Sequence, residues 1–280
     1  MAGCPSSDRG GLYIRRFLGG VLLIGLLLGA CKEPASVGIA SSPSIRLAAD
    51  SSCAALAESL LNSYESLHPD TTLTLERGGR AFVLAEVRAG SADAALVLHP
   101  LEGADLFHTP VGREMIVIIV HPDVPVTGLY RRDVRALFSG QVVTWPVGEG
   151  EAPLPVQVVT RERGSSTRLA FDSFIMQAQP VVASARLAAD EAGVLEIVRR
   201  TPGAIGYVTH GTLGEGVRAL AYEGVDPALE SARLRGYPLT TAVEFVSRDE
   251  PEGNLRTFLE WILDAEGQAV VRRHMLGVGD

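Results

Sequence analysis

Apolar residues follow two alternating rhythms along this chain. Ile45-Arg46-Leu47-Ala48-Ala49 reads as a strand and Asp50-Ser51-Ser52-Cys53 as its turn. Leu56, Leu60, Leu61, Tyr64 and Leu67 then share one helical face, up to His68-Pro69. The same unit recurs: strand Thr72-Leu73-Thr74-Leu75, turn Arg77-Gly78-Gly79-Arg80, and a helix through Val87 that closes at Gly90. A third strand spans 92–98. Glu114 to Val120, mostly β-branched, predicts a fully buried strand. Further on come a short helix over 131–138 capped by Gly140, a strand over 155–160, and a helix carrying Phe171, Phe174 and Ile175 on one face. A helix over 187–200, strands over 204–208 and 241–246, a helix with Leu255, Phe258, Leu259, Ile262 and Leu263, and a last helix from Gly267 complete the chain. Strands alternating with helices predict an α/β fold, with a parallel sheet covered on both faces.

The first thirty residues break this pattern. Arg15-Arg16 precede an apolar run from Phe17 to Ala30, too short for a bilayer span and suited to a signal peptide. The run ends Leu28-Gly29-Ala30-Cys31, which resembles a bacterial lipobox and implies cleavage before Cys31 and its lipidation. Residues 31–43, rich in Ser, Ala and Pro, read as a lipidated tether. The expectation is an exported protein, lipid-anchored to a bacterial membrane and facing the periplasm or the cell exterior. Of three cysteines, Cys4 leaves with the signal and Cys31 carries lipid, so Cys53 has no disulfide partner and a core must hold the domain. The whole chain carries −8, and the first thirty residues carry +2 (Arg9, Arg15, Arg16, Asp8), leaving −10 on the mature part. That balance argues against nucleic acid and against an anionic membrane surface. It leaves a small anion open, because neutral N–H and O–H dipoles can hold one.

The candidate chemistry centres on Arg161-Glu162-Arg163-Gly164-Ser165-Ser166-Thr167, where a β-branched strand ends and a helix begins. Glycine permits close backbone approach, first-turn amides lack intrahelical partners, and hydroxyls with an arginine add donors, which together make an oxyanion cradle. Ser and Thr also favour a helix start as simple caps, so both roles stand. Arg161 and Arg163 are either anion donors or ion-pair members. Cys53 opens a helix, where a thiolate would be stabilised, yet its small neighbours equally suit a packed residue. Enzymatic patterns are missing: there is no Gly-x-Ser-x-Gly, no phosphate loop ending in Gly-Lys-Ser/Thr and no His-Glu-x-x-His. The six histidines are scattered, so neither catalysis nor a metal or other cofactor is expected.

Six segments, in order, resemble the substrate-binding proteins of phosphate ABC importers. They are Arg77-Gly78-Gly79, Leu137-Phe138-Ser139-Gly140 with Trp145, Arg161 to Thr167, Pro202-Gly203-Ala204-Ile205-Gly206-Tyr207, Tyr237-Pro238-Leu239 and Gly267-Gln268. The resemblance implies a two-lobed type II periplasmic-binding-protein fold with two interlobe crossover strands. Lobe 1 would comprise 44–120 and 241–280, and lobe 2 would comprise 121–240. It implies a monomer that captures an inorganic oxyanion, most plausibly phosphate, for an ABC permease. The alternative is a lipoprotein of the same fold acting as a sensor or scaffold. The implied ligand residues are Ser51, Ser52, Gly78, Gly79, Arg161, Gly164, Ser165, Ser166 and Thr167. The chain departs from the pattern after its third strand, where Val97, Leu98 and His99 stand in place of a serine and an aspartate or arginine. It departs again at Asp50, a carboxylate that would repel a dianion. Weak binding of orthophosphate, or a different ligand, is therefore expected of lobe 1.

Overall fold

The computed structural model describes residues 44–101, 103 and 105–280. The signal segment, Cys4, Cys31 and the tether lie outside the described residues. The first elements are β1 (Ser44–Asp50), α1 (Ala54–Leu67), β2 (Thr72–Gly78), α2 (Arg80–Ala89), β3 (Ala94–Leu98), β4 (Phe107–Val120) and α3 (Arg131–Phe138). There follow β5 (Gln157–Arg161), α4 (Ser166–Phe171), β6 (Arg186–Ala188), α5 (Glu191–Arg200) and β7 (Ala204–Thr209). The last are β8 (Thr240–Ser247), α6 (Gly253–Leu263) and α7 (Ala265–His274).

The period of two along β1 explains why helices cover both sheet faces. Ile45, Leu47 and Ala49 point to the cluster that holds Leu56, Leu60 and Leu61 of α1. Ala48 points to the other, with Val83, Leu84 and Val87 of α2. The main path of the sheet runs β2-β1-β3-β8-β4-β7-β5-β6. β1, β2 and β3 are parallel, as are β7, β5 and β6, but β8 and β4 run antiparallel to their neighbours. The fully parallel sheet expected from the alternation is thus corrected to a mixed one.

Strand β4 joins the two halves of this two-lobed fold. Its first part, Phe107 to Met115, pairs with β8, and its second part, Ile116 to Val120, pairs with β7. The chain returns beside the switch, where Leu239 O accepts from Ile116 N at 2.9 Å just before β8. The strand begins seven residues before the expected Glu114. Its early part alternates in exposure and contains Pro110 beside a register shift, so it lacks the apolar run that marks its end. The helix expected over 187–200 is also corrected. Leu187 pairs with Thr160 in β6, and the helix starts only after Asp190, whose carboxylate accepts from Gly193 N at 2.7 Å.

In the second half, the Phe171 and Tyr207 rings stack 4.0 Å apart, with Phe138 beside them. Trp145 Nε1 donates to Gly203 O at 2.8 Å. Gly203 has φ +74°, and a Cβ there would lie 2.1 Å from Pro155 O, so the turn entering β7 requires glycine. Among the described residues no helix is long and apolar enough to cross a membrane.

Candidate functional site

The turns that leave β1, β2, β3, β5, β6 and β7 lie at strand C-terminal ends, where open α/β sheets gather ligand-binding groups. Several of their side chains meet. Asp50, 1% exposed, ends β1 and accepts from Ser52 N and Leu98 N, each at 2.9 Å. Its Oδ2 also accepts from Ser166 Oγ at 2.5 Å, across 116 residues of chain. Ser52 Oγ lies 2.9 Å from Thr167 Oγ1, which donates to Glu191 Oε1. Glu191 Oε2 accepts from Thr209 N at 3.0 Å and from Thr209 Oγ1 at 2.6 Å. Arg80, at the start of α2, donates to the carbonyls of Leu98, His99 and Pro100, and its Nη1 lies 3.5 Å from Ser166 Oγ.

Burial dominates the electrostatics. It raises the Asp50 pKa, against the opposing hydrogen bonds of Ser166, Leu98 and Ser52 and the charge of Arg80. Glu114, buried at the middle of β4, is pushed up to about 8, first by burial and further by Glu191. The backbone amides of Met115, His210 and Gly211 pull it the other way. Burial also raises the Cys53 thiol well above its ordinary range, helped by Asp50, Glu114 and Glu191. Of the two roles open to Cys53, these surroundings favour the packed residue over the thiolate. Among the described residues, no group of three His, Cys, Asp or Glu is placed to hold a metal ion.

The expected site residues divide into three sets. Ser52, Ser166 and Thr167 come together at this junction. Gly78 ends β2 and Gly79 precedes α2 with open space where a Cβ would stand; Ser51 is exposed, its N donating to Gly78 O at 3.1 Å. Ser165 Oγ accepts from Arg168 N at 3.2 Å, a helix cap, and Gly164 is exposed beside it. Arg161 lies apart from the junction. It is buried and pairs with Glu162 at 3.1 Å, while donating to Ala189 O at 3.1 Å. Arg163 is exposed.

Val97 and Leu98 turn their side chains into the core. What reaches the mouth of β3 is the Leu98 amide, met by the Asp50 carboxylate. Arg80, Glu191 and Thr209 belong to the junction but were not singled out from the sequence. Glu191 follows the capping Asp190, where an acid is ordinary helix-start chemistry, so nothing local marks it.

Residues 35–266 match the PBP superfamily domain. The phosphate-binding protein PstS of Bacillus subtilis is 24% identical over 230 residues, covering 79% of this chain and 76% of that protein. A Clostridium perfringens substrate-binding protein solved with bound phosphate superposes with a TM-score of 0.76 at 22% identity, over 84% of this chain and 99% of that one. An ABC-type phosphate transport receptor from Vibrio cholerae superposes with a TM-score of 0.69 at 21% identity, with the same coverage. The chain belongs to the PBP superfamily, and its relatives group it with the phosphate ABC-transporter substrate-binding proteins.

Proposed function

We propose that this member of the PBP superfamily captures an inorganic oxyanion, phosphate first, as the binding protein of an ABC importer. It performs no catalysis, works as a monomer, and delivers its ligand to a permease while lipid on Cys31 holds it to a membrane. Residues 44–120 and 241–280 form one lobe in this account, and 121–240 form the other. The observation that carries the proposal is convergence. The hydroxyls of Ser166, Thr167 and Thr209 and the amides of Ser52, Leu98 and Thr209 all aim at carboxylate oxygens along one seam, the donor set an oxyanion needs. Gly79 and Gly164 leave open space for close approach, whereas the Phe82 ring already packs against Gly78. Ser51 stands exposed beside them, Ser165 serves by capping the helix that presents Ser166 and Thr167, and Arg161 joins only if it changes partner.

Two carboxylates already take those donors, which favours a second role as a sensor or scaffold with weak phosphate binding. A permease and an ATPase encoded beside this chain favour import, and their absence favours the second role. The direct test is calorimetric titration of the full chain with phosphate and other oxyanions. One-to-one binding at either about pH 5 or about pH 8 is expected; no binding of any oxyanion at both would overturn the proposal.

A further inference from the structure

The hydroxyls of Ser166, Thr167 and Thr209 and the amides of Ser52, Leu98 and Thr209, where β1, β3, α4, α5 and β7 meet, are already matched to carboxylate oxygens of the protein. Asp50 holds the amides of Ser52 and Leu98 and the hydroxyl of Ser166. Glu191 holds the hydroxyls of Thr167 and Thr209 and the Thr209 amide, with Ser52 Oγ at 3.4 Å. Two features set these carboxylates apart from ordinary buried acids. First, among the described residues neither has an arginine or lysine paired with it: Arg80 is the nearby cation, and it donates to carbonyls of β3 and the chain after it. Second, the bonds cross between segments far apart in sequence, β1 to α4 and the turn after β1 to α5.

We propose that Asp50 and Glu191 are the specificity-determining residues of this junction, acting as resident anions seated on its donors. An oxyanion then enters only when these carboxylates release the bonds, which protonation of Asp50 favours. The inference rests on the oxyanion role proposed above and adds its gate.

The physical reason is competition. A buried donor forms one good bond, so an incoming oxyanion must take Ser166, Thr167 and the Leu98 amide from partners already in place. A dianion would also lie against two like charges in a site that excludes water, where repulsion is strong. Protonation of Asp50 removes its share of both obstacles, since a neutral carboxyl repels nothing and offers its own O–H. The charged and titratable groups around the pair are Arg80 from α2, Cys53 at the start of α1, Glu114 from β4 and His210 beyond β7. Of these only Arg80 attracts an anion. Glu114, raised to about 8, adds a like charge only as the pH rises to that value, which runs in the direction of the gate. The site thereby favours anions as the pH falls.

The test is calorimetry on the full chain, comparing the parent with Asp50→Asn/Glu191→Gln, whose amide oxygens still accept from the surrounding donors. At about pH 8 the variant is expected to bind phosphate at least ~10-fold more tightly than the parent. The parent is titrated with sulfate as well, whose charge is constant from about pH 5 to about pH 8. Sulfate binding is expected to tighten toward the lower pH in the parent and to change little with pH in the variant. If the parent binds phosphate tightly at about pH 8 and the variant binds equally or less well, the resident-anion inference falls while the oxyanion role stands. If neither protein binds phosphate or sulfate at either pH while both melt cooperatively, the oxyanion role falls and the gate with it. Should the variant fail to fold, the sulfate series on the parent decides alone, and affinity that is flat or rises with pH overturns the inference.

Discussion

Glu114 offers the sharpest perturbation. It sits in β4 two residues before Ile116, where the pairing partner changes from β8 to β7, and is buried, with its Oε1 accepting from Met115 N at 2.8 Å. Burial and Glu191 raise its pKa from 4.5 to about 8. The folded protein therefore binds this proton more tightly than the unfolded chain does. Its contribution to stability is full below the unfolded value and is lost as pH rises through the folded one. Each unit of separation is worth about 1.4 kcal/mol, so the window holds up to about 5 kcal/mol, of which about 3 kcal/mol is lost by about pH 7. Glu114→Gln fixes the neutral form and removes that loss. Thermal melts of parent and variant followed by circular dichroism should show a Tm difference that grows from about pH 4.5 to about pH 8 and then levels off. At about 2–4 °C per kcal/mol for a domain of this size, the growth is several degrees or more. Asp50 shifts the same way, so the variant flattens the parent's slope without abolishing it. A Tm difference constant with pH would refute the assignment of Glu114 as a buried, protonated acid.

Other expectations follow from single contacts. Gly203→Ala meets both a positive φ and Pro155 O, and should cost at least ~1 kcal/mol in a denaturant titration; no loss would mean the turn before β7 relaxes freely. Ser165→Ala removes a helix cap, so it should lower stability by about 1 kcal/mol while leaving anion affinity almost unchanged, and the reverse pattern would make Ser165 a ligand. Cys53 is buried with a raised thiol pKa, so in native buffer it should resist a thiol reagent that labels it promptly in denaturant, and prompt native labelling would contradict its packing.

What the sequence disclosed follows the range of the forces involved. The stripe of Leu56, Leu60, Leu61 and Tyr64 locates α1 because its burial pattern is local. Gly90 and Gly140 mark helix ends through their own positive φ. By contrast, the first half of β4 alternates and carries a proline, and β6 leaves Leu187 69% exposed, so neither has the apolar content of a buried strand. Both are strands because distant partners hydrogen-bond to them. The candidate site divides in the same manner. Ser166 and Thr167 are legible from the turn between a strand and a helix. Their carboxylate partners, 116 and 24 residues away along the chain, are not. Asp50 stands out only against the family pattern, and Glu191 resembles any acid in a helix first turn. Arg161 shows the opposite error of local signals, since its place beside the glycine and hydroxyls suggests a ligand donor while its guanidinium is engaged by Glu162 and Ala189 O.

The central claim is that hydroxyls from separate halves of the chain hold an oxyanion at the seam where Ser52, Ser166 and Thr167 meet. It is tested most directly by titrating phosphate, at about pH 5, into the full chain and into Ser166→Ala/Thr167→Ala. The account predicts one-to-one binding in the parent and a loss of about 1.5–3 kcal/mol for each charged hydrogen bond removed, with the variant still folded. Phosphate binding of equal strength in both proteins would contradict it.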